Sequence, residues 1–112
     1  CENALWALLH DASKAYLVDV PRPVKPFLAG YRDAESRVMW AVCKRFGLPP
    51  EMPAEVNEAD GRIIGDERAN LSICEAPWDV HHEPLGVVLG LWQPDVAEAS
   101  FIARFRELTG ET

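Results

Sequence analysis

Residues 10 and 11 of this chain are His-Asp, an imidazole beside a carboxylate, set directly after the apolar run Ala4-Leu5-Trp6-Ala7-Leu8-Leu9. A neutral imidazole and a carboxylate are both good ligands for a divalent metal such as Mn, Fe, Co or Zn. In apolar surroundings an unpaired carboxylate is costly to bury, and a cation would offset that cost. Adjacent helical side chains point about 100° apart, so both can reach one ion only if it lies in the angle between them. A second acid, Asp60, falls among Val56, Ala59, Ile63 and Ile64 on the apolar stripe of a later helix. Two readings are open for it: an ion pair with Arg62 or Arg68, or a share in a metal. His-Asp by itself is a weak signal, because the dipeptide is common by chance.

The elements that would position these groups are helical, since no segment shows the sustained period-2 alternation of a half-buried strand. The spacing predicts a first helix over about Asn3 to Leu17, with Asn3 as cap and Leu5, Leu8, Leu9, Ala12, Ala15 and Tyr16 on one apolar face. Three prolines within Asp19 to Pro26 then make a stiff loop. A second helix is expected from Tyr31 to Phe46, burying Ala34, Val38, Trp40 or Ala41, Val42 and Phe46, and closing at Gly47. A third is expected from near Pro53 to about Cys74, on a stripe of Val56, Ala59, Ile63, Ile64 and Leu71. Gly61 and Gly65 weaken it by roughly 1 kcal/mol each against Ala. Residues 76–92 read as an irregular connection, and a last helix runs from about Pro94 to Leu108, ending at Gly110. The expected class is therefore all-α, in one domain over residues 1–112.

Composition narrows the function. With 48% apolar and 26% charged residues in 112, the chain can bury a core. A formal net charge of −7 leaves no basic face for a nucleic-acid polymer, though a small phosphorylated ligand held by a local cation stays open. The opening apolar run is too short for a membrane span and lacks the basic flank of a secretory signal. Cys1, Cys43 and Cys74 show no CxxC pairing and read as small buried residues of a reduced, cytoplasmic protein. His81-His82 read as exposed or structural, and Trp6, Trp40, Trp78 and Trp92 as core or surface anchors. A chain opening on Cys1-Glu2 and entering an apolar helix at once is read as starting inside a larger bundle.

The ordered set of residues resembles the HD-domain metal-dependent phosphohydrolases of the 5'-deoxynucleotidase-like branch. Carrying the resemblance are Ala7-Leu8-Leu9-His10-Asp11-Ala12-Ser13, Ala15-Tyr16-Leu17 and Asp19-Val20-Pro21-Arg22-Pro23-Val24-Lys25, then Tyr31, Glu35 and Arg45-Phe46-Gly47-Leu48. It continues through Glu58-Ala59-Asp60, Glu67, Pro84-Leu85 and Trp92-Gln93-Pro94, with Phe101, Ala103, Arg104 and Phe105 near the end. What the resemblance implies is an HD-type helical bundle missing its N-terminal helices. One divalent cation (Mn, Co, Fe, Zn or Mg) would be held by His10, Asp11 and Asp60, with a fourth ligand, a His, on an upstream helix. It also implies a small nucleotide substrate, a deoxynucleoside 5'-monophosphate above all, with Asp19 near the sugar and Lys25 near the phosphate. It leaves room for a homo-oligomer. The family has a Glu three residues after His-Asp to handle protons; Lys14 stands there in this chain, and an ammonium accepts no proton at neutral pH unless its pKa is strongly lowered.

Two function classes follow: metal-dependent hydrolysis of a small nucleotide, and a catalytically silent HD-fold module that binds a nucleotide or a partner protein. A third is a plain helical interaction domain.

Overall fold

Apolar residues recurring every three or four positions become helices here, and no strand forms among the described residues. The computed structural model describes residues 3–71 and 83–111. Four α-helices appear: α1 (Ala4–Leu9), α2 (Tyr31–Phe46), α3 (Ala54–Leu71) and α4 (Pro94–Thr109), with short 3₁₀ turns at Ala12–Ala15 and Lys25–Phe27. The class is all-α. The chain falls into two compact units, Cys1–Pro53 and Ala54–Thr112. The expected end of the third helix at Cys74, together with Cys1, Trp78, His81, His82 and the side chain of Leu71, lies outside the described residues.

In the first unit the expected fifteen-residue helix is shorter. α1 stops at Leu9, His10 and Asp11 form a turn, and Asp11 takes φ −102° and ψ 14°, outside the helical well. The 3₁₀ turn that follows advances about 120° per residue where an α-helix advances about 100°, so later side chains drift out of the apolar stripe. Ser13 consequently swings inward and is buried, while Tyr16, expected on the apolar face, is 77% exposed and Ala15 is exposed. Trp6 and Leu9 supply the buried face of α1. The Trp6 indole Nε1 donates to Pro49 O at 2.8 Å, fastening α1 to the chain that leaves α2. The turn Ala12–Ala15 packs against α2. Asn3 makes no side-chain capping bond.

α2 has the expected bounds. It ends in a left-handed residue, Gly47 at φ 67°, the conformation glycine adopts without a Cβ clash. Its inward stripe runs through Ala34, Val38, Val42 and Phe46, each half-buried, and centres on Cys43, 2% exposed. Burial raises the Cys43 thiol pKa, though a backbone hydrogen bond partly opposes it, so the residue stays a small apolar filler. Trp40 and Ala41, the expected alternatives for that stripe, both face outward. Trp40 lies about 200° round the helix from Val38, and its ring carries the Lys44 ammonium 4.9 Å from its centroid.

The loop between α1 and α2 is tied down on α2. Tyr31 hydroxyl donates to Val18 O, and Lys25 Nζ donates to both carboxylate oxygens of Glu35, at 3.1 and 3.4 Å. Between these ties Val24 N reaches back to Pro21 O at 2.9 Å, closing a turn that the prolines pre-set. Val20 is buried beneath it.

In the second unit Val56 is buried, and Ala59, Ile63 and Ile64 are half-buried, as the periodicity requires. The deepest polar group there among the described residues is Asp66, 3% exposed. Its carboxylate accepts from Leu85 N at 2.8 Å and Gly86 N at 2.9 Å. Arg62 adds two bonds to the same returning segment, Nε to Glu83 O at 2.9 Å and Nη2 to Pro84 O at 3.2 Å. Residues 83–93 have no regular structure, as the sequence led us to expect for that stretch, and these side chains replace the missing backbone ladder. α4 starts at Pro94 and ends at Gly110, φ 72°. It buries none of its residues, so Val96, Phe101 and Ile102 keep much of their surface exposed.

Removing the Asp66 carboxylate orphans two amides. Asp66→Ala is expected to lower stability by about 2–4 kcal/mol, and Asp66→Asn by less because one acceptor survives. Urea unfolding followed by circular dichroism measures both. A loss below about 0.5 kcal/mol for Asp66→Ala would show that the 83–86 segment is held by other contacts.

Candidate functional site

The break after α1 brings the sequence-predicted donors His10 and Asp11 together. His10 Nδ1 lies 2.6 Å from Ala7 O, and because a carbonyl can only accept, Nδ1 must carry the proton. In the neutral ring Nε2 then holds the lone pair, and it lies 3.5 Å from Asp11 Oδ2. A proton on Nε2, the neighbouring Lys14 ammonium, solvent or a divalent cation can each balance this pair of atoms.

The donor set fits a cation. With metal–nitrogen and metal–oxygen bonds of about 2.1 Å each, tetrahedral donors stand about 3.4 Å apart. The Ala7 carbonyl plays the orienting part that a backbone acceptor plays behind many metal-bound histidines, fixing tautomer and ring plane. The desolvation argument from sequence does not survive. Asp11 is 55% exposed, on a turn rather than inside an apolar helix, and solvation alone can account for its charge. Among the described residues no group of three or more His, Cys, Asp and Glu side chains suited to an ion is found.

Lys14 completes the local cluster. The 3₁₀ turn eclipses positions three apart, which sets Lys14 Nζ 3.3 Å from Asp11 Oδ2, the oxygen that also faces His10. Asp19 Oδ1 lies 3.4 Å from the same ammonium. Burial pulls the Lys14 pKa down, but the hydrogen bond and charge of Asp11, then those of Asp19, outweigh it and leave it above its ordinary value. Lys14 is a fixed cation and no proton acceptor at neutral pH.

The remaining predicted residues take separate places. Asp19 sits on the loop, 71% exposed. Lys25 is paired with Glu35 and lies 5.7 Å from the Tyr31 ring centroid. It lines a cleft of about 340 Å³ with Arg22, Arg32, Glu35 and Ser36. Arg22 and Arg32 were not singled out by sequence reasoning; the signal for Arg22 was the alternation of Pro21, Arg22, Pro23 and Lys25 on a stiff loop, and Arg32, on α2, had none. A second groove, of about 520 Å³, runs along α2 past Tyr16, Val38, Val42 and Phe46 and is apolar. Asp60 is half-buried on α3 and engaged in an interaction. Arg62, one of the two partners considered for it, pairs with Glu58 at 3.7 Å.

The chain is similar to two bacterial proteins. Over 72 residues, 64% of its length, it is 38% identical to the uncharacterized protein YfdR of Escherichia coli (strain K12) and spans 40% of that protein. Over 117 aligned positions, 93% of its length, it is 33% identical to the uncharacterized protein RCAP_rcc00048 of Rhodobacter capsulatus and spans 59% of it. The chain thus spans about half the length of the curated relatives it matches. No family model and no solved structure matches it.

Folding raises the Lys14 pKa, so the charged form is the one the fold favours. Its contribution is complete below the unfolded value near 10.5 and is lost as pH rises through the higher folded value. A ¹³C titration of the Lys14 ε-carbon is expected to show a midpoint above 10.5, moving down in Asp11→Asn. A midpoint below that value in the parent protein would contradict the ion-paired geometry.

Proposed function

We propose that this chain belongs to a metal-dependent phosphohydrolase of the HD-domain class, acting on a phosphate ester of a small nucleotide, with a deoxynucleoside 5'-monophosphate as the leading substrate. One observation carries the reading: His10 Nε2 and Asp11 Oδ2 converge at 3.5 Å while Nδ1 is tied to Ala7 O. The resemblance in sequence supports it and adds Asp60 as a further donor.

His10 and Asp11 would hold a divalent cation of the Mn, Co, Fe, Zn or Mg group. When bound, such an ion supplies Lewis-acid stabilisation of charge developing on phosphoryl oxygens and acidifies a water. Lys14 brings a second positive charge to the same place and can neutralise a phosphoryl oxygen, but takes no proton. Asp19, projecting from the loop, can accept a hydrogen bond from a sugar hydroxyl. Lys25, immobilised by Glu35, offers its remaining donors to phosphate. The −7 net charge is consistent with a small ligand in place of a nucleic-acid polymer. No helix among the described residues is long and apolar enough to cross a membrane.

A second reading is favoured by the Lys14 contact. Its ammonium already neutralises Asp11 Oδ2 at 3.3 Å, the charge a metal would otherwise meet. In that reading the chain is a catalytically silent HD-fold module that binds a nucleotide or a partner protein.

Elemental analysis of the purified protein is expected to find one transition metal per chain. Asp11→Ala should weaken metal binding by more than the roughly 10–100-fold lost on removing an outer-shell partner, and Asp60→Ala should weaken it too. Metal content unchanged by Asp11→Ala would end the metal reading. Lys14→Glu then separates the two readings: phosphatase activity that appears only in Lys14→Glu makes the parent a silent module, whereas activity with Lys14 in place makes it an enzyme.

A further inference from the structure

We propose that the cleft between the Pro21–Lys25 loop and the first two turns of α2 is a binding site for a phosphate dianion, built by Arg22, Arg32 and Lys25 with Ser36. Its walls hold three cations and one carboxylate, Glu35, in about 340 Å³. Glu35 is already committed to Lys25 through both of its oxygens. Two positive charges are left over.

Those two charges are the unspent ones of the first unit. Lys14 pairs with Asp11 and Asp19, Arg37 pairs with Asp33, and Lys44 and Arg45 lie over the rings of Trp40 and Phe46. Among the described residues the guanidinium groups of Arg22 and Arg32 have neither an ion pair nor a hydrogen bond. Both line the same cleft. In a chain of net charge −7, two guanidinium groups that line one cleft without an acidic partner favour an anion there.

The chemistry of the walls selects the anion. Two planar guanidinium forks match the oxygen edges of a tetrahedral phosphate, and each can give paired hydrogen bonds. A simple carboxylate would satisfy one fork and leave the other. A dianion balances the surplus of two, and the Ser36 hydroxyl adds a neutral donor. The positive end of the α2 dipole lies at this side, since Arg32, Glu35 and Ser36 all fall in the first two turns of the helix. Preorganisation comes from the prolines: Arg22 stands between Pro21 and Pro23, and Pro26 follows Lys25, so the loop loses little backbone freedom on binding. Two forks and a balance of two charges match a single phosphoryl group, free or on an ester.

This site does not depend on the metal reading, and the experiment keeps them apart by working in EDTA. Inorganic phosphate is titrated into ¹⁵N-arginine-labelled protein, with shifts read at Arg22 Nε and Arg32 Nε. Saturable shifts at both are expected, weakening as ionic strength rises. Arg22→Gln and Arg32→Gln should each raise the dissociation constant about tenfold, while Arg37→Gln, on the same helix but paired with Asp33, should leave it within about twofold. A nucleoside 5'-monophosphate is then run as competitor: displacement of phosphate identifies an ester phosphoryl group as a ligand, and lack of displacement identifies the free anion. No saturable shift at either arginine, or the same affinity in both glutamine variants, would overturn the proposal without touching the metal reading. Each variant's thermal melt confirms that the exposed substitutions leave the fold intact.

Discussion

One carboxylate oxygen, Asp11 Oδ2, sits between two nitrogens of opposite character: the imidazole Nε2 of His10 at 3.5 Å and the ammonium of Lys14 at 3.3 Å. The metal reading and the silent-module reading both turn on that competition. The arrangement exists because the helix breaks. In a continuous α-helix His10 and Asp11 would splay by about 100°. The turn at Asp11 lets them converge, and the 3₁₀ segment that follows stacks Lys14 over Asp11. The ammonium pairs with the same carboxylate oxygen that the imidazole Nε2 faces. A divalent ion would satisfy both atoms at once, and would also repel Lys14 toward Asp19, its second acid at 3.4 Å.

That cluster is held by a scaffold whose strength lies in polar ties more than in apolar mass. α1 contributes Trp6 and Leu9 to the core, and the Trp6 indole fixes the far end of α2 through Pro49 O. The loop is pinned at one end by Tyr31 and at the other by Lys25 with Glu35. The second unit works the same way: buried Asp66 and half-buried Arg62 bind the returning 83–86 backbone. Each tie costs dehydration of a charged group and is stabilising only because its partner is in place. Such folds tolerate changes to exposed apolar residues better than loss of one of these few polar side chains.

The same physics decides how much was legible in sequence. α2 and α4 could be read to within a residue, because Gly47 and Gly110 adopt left-handed termini that only a residue without Cβ takes cheaply. The start of α3 followed from Pro53. The all-α class followed from the period alone. The helix break did not, because Ala12-Ser13-Lys14-Ala15 has good helical propensity, and what overrides it is the packing of that turn on α2. Extending the helix past the break put Tyr16 on the apolar face, where it is in fact exposed, and left buried Ser13 unnoticed. Asp66 escaped notice for a related reason: its partners are backbone amides about twenty residues away, and amides leave no trace in side-chain pattern. His10 and Asp11 stood out as possible ligands in sequence and Asp19 and Lys25 came only from the resemblance; the structure sets His10, Asp11 and Asp19 near Lys14 and pairs Lys25 with Glu35.

Electrostatic economy links that cluster to the basic loop. An acidic chain that binds an anion must concentrate its few cations, since Coulomb attraction between exposed groups fades over about 10 Å at ordinary ionic strength. Here Asp19 and Lys25 flank one proline-rich turn, and their pairings run in opposite directions: Asp19 back to Lys14, Lys25 forward to Glu35. Pro21, Pro23 and Pro26 restrict the backbone between these two pairings. An anion that drew Lys25 away from Glu35 would pull on the segment that carries Asp19, and so on the partner that helps keep Lys14 against Asp11.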